Sequence, residues 1–223
     1  QLKLKTKEKN ILLHKNFFDK YANQILSKIK EFHKSNPSQQ GISEPILSRA
    51  IIFSGSHFLF HALLQRLVDS KSVMRTGTLL HIPDHQTSLS KEEEEFLAKI
   101  RPLLIKAGNV SPRTRELVEL TGIPLKPLEK ILNQTTKVGS LIRVADNRYY
   151  LPETIMTLAG FTEQLVDDQS NNESFSVIQF RDASGIGRNL CIEILEYFDR
   201  VGFTRRDGNA RFLRTDKENI FGA

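Results

Sequence analysis

The chain contains one cysteine, Cys191, so no disulfide can close within it, and the expectation is a protein of the reducing cytoplasm. No apolar run is long enough to cross a bilayer, so no membrane partner is expected. The P-loop pattern is missing. Gly185-Ile186-Gly187-Arg188 holds a G-x-G without a preceding strand or the third glycine of a dinucleotide fingerprint. No G-x-S-x-G or other nucleophile motif is present, which leaves no catalytic residue to name and no enzymatic activity to expect of these residues. His57 and His61 stand four apart on an expected helix, a spacing able to grip a metal. Neither a third ligand nor the glutamate of H-E-x-x-H accompanies them, so no metal site is assigned. His81 and His85 flank Pro83 and read as surface loop residues. Cys191, among Leu190, Ile192, Ile194 and Leu195, reads as a small buried apolar residue.

What the sequence does have is a repeat. Val73-Met74-Arg75-Thr76-Gly77-Thr78-Leu79-Leu80-His81-Ile82-Pro83 and Leu141-Ile142-Arg143-Val144-Ala145-Asp146-Asn147-Arg148-Tyr149-Tyr150-Leu151-Pro152 are each an apolar strand, a polar turn and a second strand. Their closing prolines lie 69 residues apart. A third copy runs from Phe203 to Arg214. Upstream of each stands an apolar residue followed by serine: Ile42-Ser43, Val110-Ser111 and Phe175-Ser176, at spacings of 68 and 65. Each serine reads as a helix N-cap, its hydroxyl accepting from a first-turn N–H. A fixed period of this size means tandem modules, and helices followed by a two-stranded hairpin describe a winged helix.

The expected fold is therefore α+β, mainly helical with small β-wings, as tandem winged-helix (helix-turn-helix) domains. The expected boundaries are 15–86, 87–152 and 153–223. Residues 1–14 read as the tail hairpin of a preceding winged helix, in a chain that starts at Gln1 and is expected to be a piece of a longer protein; Leu2 to Lys5 reads equally as an edge strand protected by lysine. In the first module Phe17, Phe18, Tyr21, Ile25, Ile29 and Phe32 fall at helical spacing, followed by helices from Ser43 and from about Ser56; Ile51, Ile52 and Phe53 are open between core and interface. The second opens at Ser90, a cap before a glutamate run that favours the positive helix end, and continues with helices from Val110 and Pro124. In the third, a helix over 153–166 precedes a polar connection at 167–174. Gly185-Ile186-Gly187 then turns between two helices, and Gly202 ends the second in a left-handed cap.

A net charge of +6 points to an anionic partner, though placement matters more than the total. Arginine is concentrated in the last module, at Arg181, Arg188, Arg200, Arg205, Arg206, Arg211 and Arg214. Acids nearly balance them, but these cluster on the helix from Glu193 to Asp199, whereas the wing sets four arginines against Asp207. A helix starting near Gly187 offers N–H donors to phosphate, and arginine adds forked donors.

The segment Phe175-Ser176-Val177-Ile178-Gln179-Phe180-Arg181-Asp182, then Gly185 through Arg206, with Asn219-Ile220-Phe221-Gly222 at the end, resembles the final winged helix of the bacterial selenocysteine-specific translation elongation factors. The resemblance is dense over the last fifty or so residues and mainly architectural over 1–150. It implies a monomeric, cytoplasmic, GTPase-type factor whose C-terminal winged helices bind the selenocysteine insertion stem-loop of messenger RNA. The factor delivers selenocysteyl-tRNA to the ribosome at UGA codons. The GTPase and tRNA-binding domains, with GTP and magnesium, are expected outside this chain, and no cofactor within it. The positions expected to contact RNA are Arg181, Gly187, Arg188, Asn189, Arg205, Arg206, Arg211 and Arg214, with residues 153–223 carrying most of the affinity. Two other readings stay open: a DNA-binding transcription regulator, disfavoured by the acidic face of Glu193 and Glu196, and a protein-interaction scaffold.

Overall fold

The computed structural model describes residues 2–5, 10–85, 87, 89–166 and 173–222. It divides into two compact units, 1–87 and 88–222.

In the first unit, β1 (Leu2–Lys5) and β2 (Asn10–Leu13) pair antiparallel with Leu2 opposite Leu13, as the expected hairpin requires; its turn, 6–9, lies outside the described residues. Helix α1 (Lys15–Ser35) buries Tyr21, Ala22, Ile25 and Ile29 at i, i+1, i+4 and i+8, the stripe a one-sided helix needs. Helix α2 (Glu44–Ala50) follows, then α3 (His57–Asp69), where the Ser56 hydroxyl accepts from Leu59 N–H. The wing is β4 (Met74–Thr76) and β5 (Leu79–His81), and the two-residue β3 (Ile42–Ser43) adds to its far side in the order β3-β5-β4. Ile51 is buried and Phe53 joins an aromatic cluster with Tyr21 and Phe60, whereas Ile52 is 96% exposed.

Two histidines are not the surface loop residues expected of them. His81 is buried, its ring bonded to Thr76 Oγ1 and the Ile82 carbonyl, and His85 stacks on buried His33 at 3.7 Å between ring centroids. His61 bonds the buried carboxylate of Glu44, which also pairs with Arg75.

The second unit begins with α4 (Lys91–Ala107), where Ser90 and Glu93 form the capping box. Helices α5 (Thr114–Thr121) and α6 (Leu125–Lys137) meet at Gly122, and β6 (Ile142–Ala145) pairs with β7 (Arg148–Tyr150). Ser111 is not the cap expected of it. Its hydroxyl donates to the Tyr149 carbonyl, and α5 starts three residues later, where the Glu116 carboxylate accepts from Arg113 N–H.

Helix α7 (Pro152–Leu165) opens the last module; of the expected connection at 167–174, residues 167–172 lie outside the described residues. Next come β8 (Phe175–Ser176), α8 (Val177–Ser184), α9 (Arg188–Val201), the wing strands β9 (Thr204–Asp207) and β10 (Ala210–Leu213), and a closing turn of helix, α10 (Lys217–Phe221). Ser176 and Gln179 form a capping box, and Gly185 and Gly202 take left-handed φ values of 70° and 83°.

The expected boundary at 152/153 is no break in packing. Ile142, Val144 and Tyr150 of the middle wing sit in one core with Phe175, Phe180, Ile194 and Phe198. Arg148 reaches Glu193 at 2.8 Å, and Arg200 donates to the Val144 carbonyl. The fold is α+β, mainly helical with small antiparallel sheets. Among the described residues no helix is long and apolar enough to cross a membrane.

Candidate nucleic-acid interface

The turn between α8 and α9 is built to hold its own side chains apart. Gly185 reverses the chain, Ile186 plugs the core at 3% exposed, and Gly187 caps α9 with no side chain of its own. Leu190, Cys191, Ile194, Leu195 and Phe198 bury one face of α9, which fixes the helix and leaves Gly187, Arg188 and Asn189 exposed at its start. The first helical bond runs from Cys191 N–H to the Gly187 carbonyl, so the N–H groups of Arg188, Asn189 and Leu190 have no partner within the helix. Among the described residues no carboxylate pairs with the Arg188 guanidinium. Burial pushes the Cys191 thiol up from its ordinary value, as suits a packing residue.

The wing contributes unequally. Arg205 lies over the half-buried Phe212 ring at 4.9 Å and reaches the exposed Asp207 at 3.4 Å. Arg206 donates to the Gly208 carbonyl, and Arg214 is exposed at the strand end. Arg211 departs from expectation. It is 2% exposed and held at 3.0 Å by Asp199, which also accepts from the Thr204 hydroxyl, so it braces the wing against α9 from the inside. Arg181 is exposed and paired with its neighbour Asp182 at 2.7 Å, a surface pair worth about 0–1 kcal/mol and open to exchange for a phosphate.

Two of the three acids of α9 are thereby accounted for, and Glu196 stays exposed. Glu193 is taken by Arg148 and Asp199 by Arg211, both inward-facing arginines. Arg188, Arg205, Arg206 and Arg214 are exposed, and Asp207 pairs with Arg205. A cleft of about 380 Å³ adjoins Arg188, lined by Val110, Arg113 and Arg148 of the middle module and by Gly187, Arg188, Asn189 and Glu193. The two arginines from the middle module escaped sequence reading. The available signal was Arg148 itself, the charged residue that opens that wing's second strand ahead of Tyr149 and Tyr150.

A family model described as elongation factor SelB, winged helix, matches residues 169–213, and another with the same description matches 26–82. The structure of the mRNA-binding domain of elongation factor SelB from Escherichia coli, in complex with SECIS RNA, is 35% identical. It superposes with a TM-score of 0.50 over 56% of this chain and 99% of that one. The chain belongs to the SelB family. Selenocysteine-specific elongation factors are similar along most of its length, that of Haemophilus influenzae at 27% identity over 92% of this chain and that of Escherichia coli at 30% over 87%. This SelB chain spans 32% and 31% of those two proteins, about a third of their length.

Proposed function

We propose that this chain is the messenger-RNA-binding portion of a selenocysteine-specific elongation factor, and that its last winged helix holds an mRNA stem-loop. The carrying observation is the placement of charge: Glu193 and Asp199 of α9 are engaged by the inward Arg148 and Arg211, which leaves Arg188, Arg205, Arg206 and Arg214 outward around an open helix start. The SECIS RNA bound to the similar Escherichia coli domain supports the same reading. The deep groove of A-form RNA excludes a recognition helix, so the RNA meets the start of α9 and the wing with its backbone and exposed loop bases. Gly187, Arg188 and Asn189 form one half of the grip, with Arg205, Arg206 and Arg214 the other; Arg181 lies beside them and Arg211 supports the wing from within.

In the same proposal the full-length protein is a cytoplasmic GTPase. Its remaining domains bind GTP, magnesium and selenocysteyl-tRNA and work on the ribosome at UGA codons, and the factor acts as a monomer. The winged helices of this chain tether that machinery to the messenger. The test is a titration with an RNA stem-loop that the intact chain has selected from a pool with randomised loop sequence. Arg188→Ala should weaken binding of that RNA by about 1–3 kcal/mol with the circular dichroism spectrum intact. Unchanged affinity would remove Arg188, and with it the α9 start, from the interface.

A further inference from the structure

We infer that the RNA site extends beyond the last winged helix: the cleft at the start of α9 seats a backbone phosphate of the bound RNA, gripped from both sides by Arg188 and by Arg113 of the middle module. This rests on the RNA-binding reading above and adds to it a second module and a named contact.

The cleft has the size of a small-ligand site, about 380 Å³, and its charged lining is three arginines against one carboxylate. That carboxylate, Glu193, is held by Arg148 at 2.8 Å, and Arg148 also donates to the Ser111 carbonyl, so both are committed to the protein. Arg113 and Arg188 are the two left over. Both are exposed, and among the described residues neither guanidinium has an ion pair. The acid nearest in sequence to Arg113, Glu116, is turned to the Arg113 backbone N–H at 3.0 Å and does not neutralise the side chain. Local folding also fixes where Arg113 stands. Its backbone bridges that of Arg148, and the next N–H, of Thr114, donates to the Asn147 carbonyl at 2.9 Å. The middle wing thus holds the base of the Arg113 side chain at the cleft instead of leaving it on a free loop.

An unpaired arginine on each wall of a cleft suits an anion that can accept from two forked donors at once, and a phosphodiester does so in any RNA sequence. Arg113 is then a positioning contact that carries no sequence information. Because the middle wing packs Ile142, Val144 and Tyr150 into the core of the last winged helix, the two walls are preset, and residues 153–223 alone lack half of the grip.

The experiment is a salt-dependent titration of the whole chain with the selected stem-loop. Arg113→Gln should weaken binding about five- to tenfold and lower the slope of log affinity against log salt by about 0.7–0.9, one phosphate contact. Arg113→Lys should restore the slope while recovering part of the affinity. Arg101→Gln removes an exposed arginine of the same module whose partner is Glu153, outside the cleft, and should leave the slope unchanged. An equal slope change in Arg101→Gln and Arg113→Gln would assign the effect to diffuse charge and overturn the inference. A loss in Arg188→Ala with none in Arg113→Gln would overturn it while sparing the RNA-binding reading. No loss in either variant would overturn both.

Discussion

Among single residues, the buried charges separate what sequence could show from what it could not. Glu44 stands in the first turn of α2, is 3% exposed and is shared between His61 and Arg75. Burial pushes its carboxyl up, but the hydrogen bond and charge of His61 and the charge of Arg75 outweigh that and hold it at about 2. Its folded value lies below its unfolded one, so the stability it adds is present above about pH 4.5 and is lost as pH falls toward 2, about 3 kcal/mol in all. Glu44→Gln leaves Arg75 buried without its counter-charge. It should cost about 3–5 kcal/mol at neutral pH and flatten the acid limb of unfolding for residues 1–87. Urea unfolding at pH 7 and pH 3 checks this, and a variant that tracks the parent at both would contradict it. The same partnering explains Arg211. Composition and position mark it as a wing arginine like Arg205, and only the folded chain brings Asp199, twelve residues earlier, against it.

For the elements, legibility followed the length of the pattern. Helices α1, α4 and α9 carry apolar residues at regular helical spacing over many positions, and the caps at Ser90 and Ser176 stand where serine precedes Glu93 and Gln179 by three. The wings were visible because a polar turn between apolar strands recurs. Strands β3 and β8 were not, since two residues carry no period; the apolar-serine pairs that form them were assigned wholly to capping. The turn into α9 supports a contrast. Gly185 has φ of 70° with no atom within 4 Å of an added Cβ, so Gly185→Ala meets backbone strain alone, about 1–2 kcal/mol. Gly187 has φ of −66° and equally open space, so Gly187→Ala meets no strain and should cost at most about 1 kcal/mol as a poorer helix cap, while weakening RNA binding through a methyl group at the cleft. Thermal unfolding beside RNA titration checks both. Full-strength RNA binding by Gly187→Ala would remove this turn from the contact surface.

For the whole molecule, the repeat gave three modules, while packing gives two units, because the middle wing lends Ile142, Val144 and Tyr150 to the core of the last module. A period in sequence reports local folds and is silent on which modules pack together. The same packing sets Arg113 and Arg148 beside the start of α9, a placement that links residues 113, 148 and 188 and has no linear signature. Charge tells a similar story: the net +6 is modest, and its consequence lies in pairing Glu193 and Asp199 with inward arginines while Arg188, Arg205 and Arg206 stay outward. The most direct measurement is the affinity of the intact chain for its selected RNA stem-loop beside a loop-scrambled RNA of identical stem. The account predicts at least about tenfold tighter binding to the intact loop, equivalent to about 1.4 kcal/mol. Equal affinities would contradict it and reduce the arginine surface to a nonspecific anion trap.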